Sequence, residues 1–415
     1  MPVEGDWDLQ ARVRAAFAPV PPKKLGVAVS GGGDSVALLH LLAEWARNGG
    51  PILQAVTVDH GLRPEAAVEA EGVAAACKTL GVDHKTLRWQ DWNGKGNLMD
   101  AARRARMRLI AEWALARGIG HVALGHTLDD QAETFLMRLA RGSGVDGLAA
   151  IAQRREALGV VWERPLIDVP RTELRQFLTA SGISWVDDPT NEDTAFDRIK
   201  ARQALAVLAP LGITPDRIAD TVFLMSMARD VLQGAMSRLA ANHARDIAGA
   251  VIVEKRALVL EPYETGLRFL AEAIRWVSSS DYRPRLDALM DAHADVVSQR
   301  KRTLSGCILT SDSTHISIVR EPKAVASVVC APDQLWDNRW RLEGPAEPGL
   351  EVRALGAAGL RACKDWRATG ISRDALIVSP AIWRGEVLIA APLAGLSNGW
   401  TARIDAGFTS FIISH

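Results

Sequence analysis

Cysteine is scarce in this chain. Its 415 residues include four, Cys77, Cys307, Cys330 and Cys363, and no two of them form a CxxC pair. That excludes the usual zinc-knuckle spacing and argues against a cysteine-held iron–sulfur cluster. Scattered single thiols suit a reducing compartment. An excess of one charge sign is also missing, because 49 Lys and Arg balance 49 Asp and Glu. Neutrality decides nothing about a nucleic-acid partner, since acids elsewhere can offset a basic face. Any case for RNA must rest on local clusters. No apolar run approaches the ~18 residues of a membrane span, and the opening MPVEGDWDLQ has no basic-then-apolar signal. A soluble, cytoplasmic protein with no membrane partner is expected.

What is present is a regular alternation. β-rich apolar runs occur at 25–30 (LGVAVS), 52–59 (ILQAVTVD), 84–89 (HKTLRW) and 121–126 (HVALGH), with helix-period segments near 34–47, 64–80, 100–117 and 128–141. Such alternation predicts a parallel, doubly wound α/β sheet with helices on both faces. Ligands of such sheets gather at the carboxyl ends of the strands. Three of those ends are polar: SGGGDS, VDHGLR and LGHTLDDQ. Further on, helical periodicity marks 215–245 and GLRFLAEAIRWV, short alternating runs include CILTSDSTHISIV, and a strand-like, tryptophan-rich tail begins near 333. The expected organisation is a catalytic domain over 1–212, a mainly helical middle domain over 213–330, and a small β-rich domain over 331–415.

The stretch SGGGDS (30–35) opens a helix directly from a strand. Free backbone amides and the positive end of a helix dipole make such a junction an anion site. A Walker loop would need a lysine, and a dinucleotide loop would read GxGxxG; neither fits. The stretch matches SGGxDS and so resembles the phosphate-binding loop of the ATP pyrophosphatases. By that resemblance Ser30, Gly31, Gly32, Gly33 and Ser35 wrap the pyrophosphate of ATP. Asp34 adds no affinity for a bare polyanion, so its role there is to hold Mg²⁺ against the leaving group. The plainer alternative is a glycine turn with Asp34 as a helix cap.

The other strand ends extend the likeness. VDHGLR, NLMDAARRARM (97–107), LGHTLDDQAETFLMRLARGSG (124–144) and ERPLIDVPRTEL (163–174) follow in order. Together with SGGGDS they resemble the tRNA(Ile)-lysidine synthetases of the PP-loop superfamily. DDPTNEDTAFDRIKAR and TLSGC followed by IVRE are similar to later segments of that family, and SPAIWRGEVLIAAP is a looser match. The resemblance implies ATP-dependent joining of L-lysine to C2 of the wobble cytidine of a tRNA(Ile) with a CAU anticodon. It passes through an adenylated cytidine, releases pyrophosphate and AMP, and shifts decoding from AUG to AUA. A homodimer is an allowed assembly. Two departures stand out: Met107 where the family carries an aromatic, and Ile199–Lys200 where it carries asparagine and arginine.

Within that reading, Asp130 and Glu133 lie three apart at a helix start and form the receptor for the lysine ammonium, with Asp129 as a further candidate. Taken alone, acids there also suit the dipole of a helix N-terminus. Asp34, Arg106 and His126 are assigned to catalysis, and Arg103 joins the ATP-binding set. His60 and Arg63 are further candidates, and a structural histidine is the alternative for both imidazoles. Arg198, Lys200 and Arg202 are the expected tRNA contacts. Arg138, Arg141, Arg171, Arg175 and the Arg300–Lys301–Arg302 run are additional cations, each also consistent with ordinary surface charge. Trp336, Trp340, Trp366 and Trp383 suit either base stacking or core packing.

Rival readings share the loop. A tRNA thiolase needs reactive cysteines, yet Cys77, inside EGVAAACKTLG, is alone in the first domain, and burial is its default fate. An amidotransferase-type synthetase needs a nucleophilic cysteine with histidine support. A non-catalytic scaffold predicts loss of Asp34, Asp130 or Glu133, and all three are present.

Overall fold

The computed structural model describes residues 4–61, 65–90, 92, 94, 97–186, 197–345 and 347–414. Arg63 and most of DDPTNEDTAFD lie outside the described residues. The chain divides into two compact units, Met1–Arg229 and Asp230–His415.

The first unit is built on six strands: β1 Lys24–Ala28, β2 Ile52–Asp59, β3 Asp83–Arg88, β4 His121–Leu124, β5 Arg154–Ala157 and β6 Val160–Glu163. Their order in the sheet is β3-β2-β1-β4-β6-β5. All neighbours run parallel except β5, which turns back on β6 as an antiparallel edge. The helices are α1 Glu4–Ala15, α2 Gly33–Arg47, α3 Glu65–Leu80, α4 Leu98–Ala116, α5 Leu128–Ala140, α6 Val145–Leu148, α7 Arg171–Ala180 and α8 Asp197–Leu208.

The period-two pattern of β1 explains the two covered faces. Leu25, Val27 and Val29 join a buried cluster with α1, α2, α3 and α7, including Leu9, Leu38, Cys77, Leu174 and Leu178. Each such aliphatic side chain contributes roughly 1.5–3 kcal/mol on burial. On the other face Ile110, Trp113 and Ala114 of α4 pack with Val122, Leu124 and Trp162. Gly26 permits that approach, since a Cβ there would stand 3.0 Å from the Trp113 ring. Strand order reverses between β1 and β4, so the crevice above their carboxyl ends is where this topology binds ligands.

The second unit carries a five-stranded antiparallel sheet, with order β7-β8-β11-β10-β9. Its strands are β7 Ala244–Ile247, β8 Ala250–Glu254, β9 Arg302–Leu304, β10 Cys307–Ser311 and β11 His315–Arg320. Phe269, Leu270 and Ile274, on the helix Tyr263–Ser278, pack with Ile316 and Ile318 of β11. From Trp340 onward come a two-stranded and a three-stranded sheet. Trp336, Trp340 and Trp383 are buried there, and Trp366 packs partly buried beside them, so core packing accounts for all four. Among the described residues no helix is long and apolar enough to cross a membrane.

Candidate active site

The glycine loop leaves β1 and enters α2 within five residues. Gly31 has φ +90°, a conformation that side-chain-bearing residues rarely adopt. Gly32 is the residue before the helix, and its carbonyl accepts from the amides of Ser35 (3.1 Å) and Val36 (3.0 Å). The Ser35 hydroxyl donates to the Gly32 carbonyl at 2.9 Å, accepts from the Ser30 amide at 3.1 Å and lies 3.2 Å from the Ser30 hydroxyl. The Val186 amide reaches the Gly31 carbonyl at 3.1 Å. Behind the loop, a Cβ on Gly125 would come within 3.1 Å of the backbone of Asp34 and Ser35. The end of β4 therefore rests against the start of α2, and both strand ends share one crevice.

Asp130 caps its helix with one carboxylate oxygen and faces two arginines with the other. Its Oδ2 accepts from the Thr127 amide at 2.9 Å and the Thr127 hydroxyl at 3.2 Å, closing a capping box on α5. Its Oδ1 faces cations, Arg198 Nη1 at 3.5 Å and Arg171 Nη2 at 3.6 Å. Burial pushes the Asp130 pKa upward, but Arg198, His126, Arg171 and the Thr127 amide outweigh it and hold the carboxyl below its ordinary range. The Glu133 side chain is 1% exposed. Its Oε1 accepts from Arg202 Nε (3.0 Å) and Nη2 (2.9 Å) and from Arg171 Nη1 (3.4 Å). Its Oε2 is buried with no hydrogen-bond partner among the described residues. Asp129 is committed elsewhere, with its Oδ2 accepting from the Arg171 amide at 2.7 Å.

Arg171 is the residue that ties the two halves together. Besides Glu133 and Asp130, it donates through Nε to Asp34 Oδ2 at 3.0 Å. Burial alone would lower its pKa, but Asp34, Asp130 and Glu133 raise it, so the guanidinium stays charged. The Asp34 carboxyl is pushed up by burial, and Arg171 opposes that shift. Sequence reasoning placed Arg171 only among the general cations. A signal was available: Arg171 opens α7, where the helix dipole disfavours a cation, so specific anions must hold it there.

His126 lies just beyond β4. Burial first, then Arg164, Arg198 and Arg106, drive its pKa down to about 4 against the pull of Asp130. The imidazole is therefore neutral at pH 7, and its buried Nδ1 has no partner among the described residues. Arg106 reaches solvent but has protein on most sides; desolvation, Arg103 and Arg198 lower its pKa. Burial and Arg106 likewise lower that of His60. The structure thus gathers the loop, Asp34, Arg106, His126, Asp130 and Glu133 around one crevice.

The expected RNA contacts divide. Arg198 and Arg202 reach back to the acids of the site, whereas Lys200 is exposed and sits 3.9 Å from Asp197. Arg141 pairs with Asp197, Arg138 donates to the Gly147 and Ala150 carbonyls, and Arg175 stacks over Trp185. Arg300 and Arg302 are engaged by Asp295 and Asp291, while Lys301 is exposed. Cys77 is buried, and burial raises its thiol pKa to about 11, which removes it from sulfur chemistry at neutral pH. Among the described residues no cluster of three or more His, Cys, Asp or Glu forms a closed metal cage.

The PP-loop domain family matches residues 6–208. A tRNA(Ile)-lysidine synthase of Ruegeria pomeroyi is 49% identical over 414 residues, covering 99% of both chains. Its counterpart in Wolbachia pipientis is 35% identical over 329 residues, 76% of each chain. Among solved structures, a U34-tRNA thiolase of Methanococcus maripaludis is similar over 54% of this chain and 79% of its own, at 18% identity and a TM-score of 0.47. With a glycine cradle of the PP-loop type and near-complete alignment to a curated relative, this chain belongs to the tRNA(Ile)-lysidine synthase family.

Proposed function

We propose that this protein ligates L-lysine to the wobble cytidine of a CAU-anticodon tRNA(Ile), in the cytoplasm, by way of an adenylated cytidine. The observation that carries this reading is the Arg171 bridge. It sets a phosphate-type loop 3.0 Å from one end of a guanidinium and a buried carboxylate 3.4 Å from the other. An enzyme that must adenylate one substrate and hold a cationic second one needs those two subsites side by side.

In the first step the cytidine O2 attacks the α-phosphate of ATP and pyrophosphate leaves. Ser30 to Ser35 hold the leaving group with amides and hydroxyls, and Arg106 and Arg103 offset charge developing on the α-phosphate. Asp34 would hold Mg²⁺, which usually takes one or two carboxylates plus phosphate oxygens and water, and the ion would supply positive charge to the leaving group. In the second step the lysine ε-amine attacks C2 and AMP departs. A free ammonium titrates near 10.4, so well under ~1% is nucleophilic at pH 7. Asp130, held ionised, and the unpartnered Oε2 of Glu133 bind the ammonium. Glu133 Oε2 takes one proton from the bound ammonium and frees the amine for attack, and His126, neutral at pH 7, accepts the second as the C–N bond forms and AMP leaves. Arg198 and Arg202 contact the RNA backbone. When they turn to phosphate they release Asp130 and Glu133, which links RNA arrival to lysine capture. A homodimer belongs to the same proposal.

The test is pyrophosphate release from ATP, with lysine and RNA supplied separately and together. Release with RNA alone, followed by AMP discharge on adding lysine, is the expected result. Turnover with lysine alone would place adenylation on the amino acid instead.

A further inference from the structure

A second concentration of positive charge lies on the α4 face of the sheet, away from the glycine loop. Strand register places it. Arg154 pairs with Glu163 and Arg155 with Trp162, and the Arg164 amide continues the ladder to the Gln153 carbonyl at 2.9 Å. Arg155 and Arg164 therefore project to the same face as Ala157, Val160 and Trp162, which pack against α4. Glu163 projects to the opposite face, where its Oε1 lies 2.9 Å from His121 Nδ1, and its pull on Arg164 is weaker than the repulsion from Arg155 and Arg103.

The arginines are braced by neutral oxygens. Arg164 is 7% exposed and donates through Nη1 to the Ala152 carbonyl at 2.7 Å, and its buried Nε has no partner among the described residues. Arg138 donates to Gly147 and Ala150 at 2.9 and 2.8 Å. Arg155 is exposed, and Arg103, on α4, is near enough for its charge to act on Arg138 and Arg164. Among the described residues no ion pair joins Arg103, Arg155 or Arg164 to a carboxylate. Mutual repulsion is felt: after burial, Arg155 and Arg103 depress the Arg164 pKa to about 10, and the same two neighbours depress Arg138. Assembling like charges this way is unfavourable unless an anion joins them.

We propose that Arg138, Arg155 and Arg164, with Arg103 at the border, form a basin for the phosphodiesters of the RNA strand flanking the target cytidine. This rests on the RNA-modifying reading above. The glycine loop already provides for the leaving pyrophosphate, at the start of α2, and Arg103 stands where the nucleotide site ends and the basin begins. Several guanidiniums close enough to repel one another suit successive phosphates better than one nucleotide. RNA gripped here would direct its unstacked base toward His126, between the two anion sites.

Arg155 gives the cleanest test because it is exposed and holds no other element in place. Arg155→Ala is expected to weaken binding of the intact tRNA ~3- to 10-fold, and Arg155→Glu more. The salt slope should flatten by ~0.7 for each single-strand phosphate that the variant no longer neutralises. Arg155→Lys should recover part of the affinity, while KM for ATP and lysine stays at the wild-type value. A raised ATP KM with normal RNA affinity would assign the basin to nucleotide and overturn the proposal. Unchanged RNA affinity in Arg155→Glu would overturn it as well. Wild-type enzyme that never modifies RNA would instead sink the proposed function, so the two failures read differently.

Discussion

Glu133→Gln removes charge from the carboxylate proposed to receive lysine while keeping its shape. In the wild type, Oε1 is shared by Arg202 and Arg171 and Oε2 is buried and unpartnered among the described residues. A glutamine can retain the Oε1 acceptor, but it puts an N–H₂ where the ammonium should arrive. A hydrogen bond to a charged group is worth ~1.5–3 kcal/mol. At 1.4 kcal/mol per decade that is a ~10- to 150-fold rise in the lysine KM. The fold should suffer less, because Arg202 is 43% exposed and Arg171 keeps Asp34 and Asp130; a loss of ~1 kcal/mol is expected. The assay separates the half-reactions: pyrophosphate release with ATP and RNA should proceed near the wild-type rate, while AMP discharge should need far more lysine. An unaltered lysine KM, with normal stability, would refute the assignment of Glu133 to the ammonium.

Gly125→Ala should slow adenylation at least ~10-fold and cost ~1–3 kcal/mol, because its Cβ would meet Asp34 and Ser35 backbone at 3.1 Å and displace the helix start; calorimetry and the pyrophosphate assay report both. His126 titrates about 4 when folded against 6.5 ordinarily, so the unfolded chain binds the extra proton between those values and stability rises with pH across that window. His126→Gln should flatten that slope, worth at most ~3 kcal/mol, in urea melts from pH 4 to 6.5. Arg198→Ala with Arg202→Ala should weaken RNA binding and reduce its salt slope, yet tighten lysine binding measured calorimetrically without RNA, since both guanidiniums now contact the carboxylates Asp130 and Glu133.

Much of the first unit was legible because its signals are local. The apolar runs at 25–30, 52–59, 84–89 and 121–126 became β1 to β4 within a residue or two, and the intervening helices fell where periodicity put them. The short β5–β6 hairpin is less legible, since a four-residue edge strand reading RREA has neither alternation nor apolar content. The candidate site was legible as separate strand ends but not as a network. Arg171 and Asp34 are 137 residues apart, and Arg202 and Glu133 are 69 apart, so only the fold could pair them. Asp130 had two competing readings, cap or ligand, and the geometry allows both because its two oxygens face different ways. Arg164 was passed over because nothing in ERPLID separates a buried arginine from a surface one.

The central claim is that RNA, not lysine, receives the adenylyl group at the Ser30–Ser35 cradle. It is tested most directly by incubating enzyme, ATP and a CAU-anticodon tRNA(Ile) without lysine and taking the mass of the RNA, then adding lysine and repeating. The account predicts a gain of one adenylyl group at the wobble cytidine, replaced by one lysyl group when lysine arrives. Lysyl-adenylate in solution over unchanged RNA would contradict it.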